Sequence, residues 1–176
     1  MADSSERETG TTKVSVVLTD PIRGALTREA EDLGRDLPEH LQRVLAEHVL
    51  RNKLIPDDEA QRLRKLWSMT ERVAEEAKKI CRDGGFTSGI TLSAIHACMK
   101  DPAWVEDYRT WVKDDIYKHG NPLKKLINPG FGARVKAAIK GRVEKDDENK
   151  ARTVKVAGEI IQSYTPMIGF DPKAVA

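Results

Sequence analysis

Apolar and polar residues alternate at one place in the chain and keep helical spacing almost everywhere else. In Lys13-Val14-Ser15-Val16-Val17-Leu18, Val14, Val16 and Leu18 fall on one side and Lys13, Ser15 and Val17 on the other, the two-residue period of a short strand. Thr19-Asp20-Pro21 then supplies a capping residue beside a proline suited to a first helical turn. Ile22, Leu26, Ala30 and Leu33 form the stripe of that helix, and Gly34 stops it. A second helix is predicted from Asp36-Leu37-Pro38-Glu39, with Leu41, Val44, Leu45, His48 and Val49 on one face, and it runs out near Leu54 before Pro56.

Helical spacing continues through the rest of the chain. Residues 57–82 place Ala60, Leu63, Leu66, Trp67, Val73, Ala77 and Ile80 on one face, and Gly84-Gly85 ends the run. A short helix is predicted over 91–99. Asp101-Pro102 opens another, with Trp104, Val105, Tyr108, Trp111, Val112 and Ile116 on its buried side. Asn121-Pro122 and Asn128-Pro129-Gly130 read as turns, and helices over 133–143 and 147–164 are expected to complete the chain. The expected organisation is an arm over 1–12, a strand-and-two-helix unit over 13–55, an all-helical domain over 56–165 and a tail over 166–176.

A single strand cannot satisfy its own backbone, and the Val14, Val16 and Leu18 face is too small to form a core. Pairing with the strand of a second copy across a two-fold axis solves both problems. The resulting two-stranded ribbon carries Lys13, Ser15 and Val17 of both copies on its outer face, a shape that enters the major groove of B-DNA.

Residues 13–54 resemble the ribbon–helix–helix family of bacterial DNA-binding proteins. The likeness rests on the alternating strand, the Thr19-Asp20-Pro21 helix start, the Gly34-Arg35 break and the Leu41, Val44, Leu45, Val49 stripe. It covers about a quarter of the chain. It implies a homodimer on double-stranded DNA, with higher assembly on the DNA open, in which Lys13, Ser15 and Val17 read bases. It also implies phosphate contacts near the second helix, assigned to Thr12 and Arg35. Asp36 and Pro38 depart from the family pattern there, one adding an anion and the other removing a donor. Gly24 departs from it inside the first helix.

Composition sharpens this picture at one point. The 176 residues hold 30 Lys and Arg against 28 Asp and Glu, a net charge of +2, yet 116–143 contains seven cations and no acid. Lys118, Lys124, Lys125, Arg134, Lys136, Lys140 and Arg142 therefore suit an anionic partner through counterion release, and the last six are candidate nucleic-acid contacts. The bland alternative is a solvated helix face balanced by Asp114, Asp115 and the acids of 144–148.

Other chemistry finds little support. Cys81, Cys98, His96 and His119 match no zinc spacing, so no metal or cofactor is expected. The glycine-rich run 84–89 has no following Lys-Ser/Thr, which argues against a phosphate loop. Trp67, Trp104, Tyr108 and Trp111 sit at helical spacing and read as packing. No catalytic constellation emerges, so a non-enzyme is expected. The absence of a signal-peptide pattern in Met1–Gly10 and of a long apolar run predicts a cytoplasmic protein without membrane contact. The leading expectation is a repressor or a plasmid or conjugation accessory factor, whose helical domain adds DNA contacts or recruits a protein. An antitoxin, or an interaction module whose ribbon only dimerises, remains the alternative.

Overall fold

A computed structural model describes residues 14–175. Among these, six helices run α1 (Asp20–Asp32), α2 (Leu37–Arg51), α3 (Asp57–Arg82), α4 (Ile90–Cys98), α5 (Pro102–Val112) and α6 (Pro122–Ala138). Four short strands follow: β1 (Arg142–Val143), β2 (Val154–Lys155), β3 (Ser163–Tyr164) and β4 (Met167–Gly169). The protein is mainly helical, as the spacing predicts.

α3 is the axis around which the chain packs. Met69, Val73, Ala77 and Cys81 recur every four residues and are buried against α4 and α6. The preceding turns of α3 turn Leu66 and Trp67 toward α2 instead, where they stay half-buried. An aromatic cluster locks α5 to α6: Trp104 and Tyr108 stack with centroids 5.7 Å apart, and Phe131 lies 5.8 Å from Trp104. Trp67 and Trp111 are packing residues too, each covered by an arginine, with Arg43 3.5 Å and Arg62 4.4 Å above the rings.

The end of the chain departs from the sequence expectation. Residues 147–164 form no helix. Asp146 instead accepts from the amides of Glu148 (3.0 Å) and Lys150 (2.9 Å), Asn149 takes a positive φ, and the chain reverses. Beyond this turn Val154 pairs with Tyr164 and Lys155 with Ser163, antiparallel, while Ile160 and Ile161 of the connecting loop enter the core. Local turn chemistry and β-branched residues outweigh an apolar spacing that two structures share. The expected tail is folded as well: β4 pairs with β1, the Asp171 amide donates to the Ile139 carbonyl (3.0 Å), and Arg82 holds the Val175 carbonyl (3.0 Å). The region beyond 56 is therefore helical with two small sheets, not all-helical.

The second departure is α6. Asn128-Pro129-Gly130 reads as a turn but lies inside this helix. Proline and two glycines in a helix interior together cost about 5 kcal/mol in propensity. Buried Ile127, Phe131, Val135 and Ala138, spaced for one face, hold the helix through them.

The third departure is at the other end. Residues 14–19 form no strand in the isolated chain, and Val14, Val16 and Val17 are 76%, 61% and 98% exposed. Among the described residues nothing pairs with them. Thr19 precedes α1 as expected but makes no side-chain cap, whereas Asp36 caps α2 by accepting from the Glu39 amide at 2.8 Å.

Gly130 occupies a helical backbone with open space where a Cβ would stand. Gly130→Ala should therefore raise stability by about 1 kcal/mol. Denaturant unfolding checks this, and a loss of stability would show that the glycine itself is needed for packing.

Candidate nucleic-acid interface

The α1–α2 turn is built to be gripped. Gly34 has φ +60, and the chain closes α1 through the Gly34 amide to the Glu31 carbonyl (3.0 Å) and the Arg35 amide to the Ala30 carbonyl (2.8 Å). A Cβ on Gly34 would lie 3.5 Å from Ala138 Cα, so the turn rests directly on the end of α6. Its positive φ is what calls for glycine here.

Arg134 of α6 fixes that contact. It is 3% exposed, donates to the carbonyls of Gly34 and Leu33, and reaches Glu71 Oε2 through Nε (3.0 Å) and Nη2 (2.8 Å). Glu71 Oε1 accepts from Arg35 Nη2 at 2.8 Å. One carboxylate on α3 therefore joins α6 to the α1–α2 turn. Burial pushes the Glu71 carboxyl up, but the Arg134 and Arg35 guanidiniums outweigh it and hold the group below its ordinary range. Glu39, 3.8 Å from Arg134, moves the other way: burial dominates and raises it, against the pull of Arg134.

This geometry redistributes the expected contacts. Arg35 is not a free phosphate partner, because it is committed to Glu71. Arg134 is likewise internal. Lys124 is 4% exposed and donates to the carbonyls of Ile116 and Lys118, which end the preceding segment, and burial depresses its ammonium. Lys118 pairs with Asp114 at 2.7 Å. Arg142 lies across the strand partner of β1, where a Cβ on Gly169 would meet its guanidinium. Lys125, Lys136 and Lys140 remain exposed. Ser15 and Val17 are exposed too, while Thr12 and Lys13 lie outside the described residues.

What the tertiary structure adds is proximity. Lys136 and Lys140 border one cavity of about 350 Å³ with Gly34, Arg35 and Asp36. Part of the basic stretch thus stands beside the start of α2, a hundred residues earlier in the chain. Nothing in the local sequence around Glu71 signals the ion pair that arranges this.

Removing Glu71 would leave the buried Arg134 guanidinium with Glu39, at 3.8 Å, as its nearest carboxylate. Glu71→Ala should destabilise the protein by about 3 kcal/mol at neutral pH. Because the folded Glu71 carboxyl is depressed, its contribution is complete above the ordinary carboxylate range and fades as pH falls through the lower folded value. Glu39, raised on folding, acts with the opposite sign. Stability of Glu71→Gln measured from pH 7 downward should therefore fall less steeply than that of the parent chain; equal slopes would remove the clamp from this role.

Among the described residues no three His, Cys, Asp or Glu side chains gather as a metal site, and no helix is long and apolar enough to cross a membrane. Comparison with known proteins finds no matching family model, no matching curated protein and no matching solved structure.

Proposed function

We propose that the chain acts as a homodimeric, sequence-specific double-stranded DNA-binding protein of the ribbon–helix–helix kind, serving as a transcriptional repressor or a plasmid accessory factor. One observation carries this reading. Residues 14–55 bury only Ala30 and His40, while Val14, Val16, Ile22, Leu33, Val44 and Leu45 are exposed. Such a unit cannot form a core by itself, and a second copy supplies both the missing apolar surface and the missing strand. The paired strands would then present Lys13, Ser15 and Val17 outward toward base edges.

The placement of Lys136 and Lys140 supports a division of labour. With Asp36 capping α2 and Arg35 bound to Glu71, the phosphate role passes to these two lysines, which lie beside the α1–α2 turn. They cannot discriminate bases and would act through charge alone. The Asp36 cap also favours a second reading, in which the ribbon only dimerises, because it fills the site where an anion would otherwise sit.

The two readings separate in one set of measurements. Val16→Lys should convert a dimer to a monomer in light scattering, and since Val16 is exposed in the single chain the monomer should stay folded. Duplexes selected from a random pool should be two-fold symmetric, matching the dimer. Lys13→Ala and Ser15→Ala should each cost about 1–3 kcal/mol on the selected duplex and little on random DNA. Lys136→Ala with Lys140→Ala should weaken both duplexes alike and flatten the salt slope by about one unit per lost contact. A dimer that enriches no duplex is the dimerisation module, and an unchanged mass in Val16→Lys removes the ribbon altogether.

A further inference from the structure

A cleft lies away from the α1–α2 turn, between α6 and the β2–β3 pair. It encloses about 510 Å³, within the range of roughly 300–1,000 Å³ that small-molecule sites occupy. Its lining is chemically one-sided. Lys125 and Lys136 stand on the α6 side, Thr153, Gln162 and Ser163 on the strand side, and among the described residues no carboxylate borders it. Ile161 and Met167, both 2% exposed, form part of its base.

The irregular sequence of α6 shapes this cleft. Lys125 and Lys136 are separated by eleven positions, about 16 Å along a helix. Between them stand Asn128, Pro129 and Gly132, so the middle of the wall is low and the two ends are cationic. Gly132 has open space where a Cβ would project, and this space belongs to the cleft. Pro129 has no N–H, which leaves the Lys125 carbonyl without its helical donor on the same wall. Packing alone explains why α6 survives these residues, not why they line the cleft.

We propose that this cleft binds a small organic dianion with a flat or apolar body, of nucleoside monophosphate size. The ammonium group at one end would take the anionic group, the hydroxyl and amide groups would orient the molecule, and the apolar base would cover its body. Phosphate and carboxylate share this charge chemistry, and the probes below distinguish them. The site shares Lys136 with the proposed DNA surface, so its test uses the full chain without DNA.

Amide chemical shifts of the labelled protein should be followed during titration with adenosine 5′-monophosphate, with phthalate and with neutral adenosine. Saturable shifts at Gly132, Ser163 and Thr165 are expected with a dianion and not with adenosine. A response to the monophosphate but not to phthalate identifies a phosphate site, and the reverse a carboxylate site. Lys125→Ala with Lys136→Ala should weaken binding by about tenfold or more. Gly132→Leu should abolish it while leaving the melting temperature no lower, because the side chain enters open space. The proposal fails if neither dianion gives saturable shifts at millimolar concentration. It also fails if adenosine shifts the same amides equally, or if Gly132→Leu binds as the parent does.

Discussion

The arrangement of this protein depends on a buried guanidinium that must not be left unpaired. Arg134 sits 3% exposed in the middle of α6, and in that environment its charge requires both a carboxylate and carbonyl partners. Glu71 supplies the first from α3, and Leu33 and Gly34 supply the second from the α1–α2 turn. Three segments far apart in the chain are therefore held to one geometry by the cost of desolvating one side chain. Gly34 allows it, since the turn needs a φ of +60 that glycine adopts without strain.

That clamp also decides which positive charges are available. Of the seven cations between 116 and 143, Arg134 and Lys124 are consumed in holding the chain together and Lys118 is neutralised by Asp114. Arg142 is exposed on β1, and the other three divide between two places. Lys140 faces the α1–α2 turn, Lys125 faces the cleft beside β2 and β3, and Lys136 borders both. A single helix with an interrupted sequence thus carries an internal ion pair on one face and cationic walls on the others. Its buried stripe of Ile127, Phe131 and Val135 offsets the propensity cost of Pro129, Gly130 and Gly132.

The unit before residue 56 has the opposite balance. Its helices are well formed, yet Ala30 and His40 are its buried residues, and His40 has no hydrogen-bond partner of good geometry although Glu29 Oε2 lies 3.3 Å from its Nε2. Helices of this length gain most of their stability from packing. The packing between this unit and the rest of the chain includes the clamp and the Arg43–Trp67 contact. Apolar surface that one copy leaves open is what a second copy would close.

The sequence by itself determined the helices from α1 to α5, because their stripes, caps and stops are local: Asp36 and Asp101 cap where expected, and Gly34 and Gly84-Gly85 terminate. It determined the basic stretch, but not its use. Whether Arg35 and Arg134 are free is set by partners 36 to 101 positions away, and no spacing rule reaches that far. The sequence misled at α6, where local breakers gave way to a buried stripe, and at 147–164, where an apolar spacing compatible with a helix was overruled by the Asp146 turn. The strand over 13–18 was legible as a pattern only. A strand needs a neighbour, and among the described residues none lies beside Val14–Leu18. Helices close their hydrogen bonds within their own segment and can be read there; ion pairs, clefts and strand pairing are made between segments, and only the tertiary structure decides them.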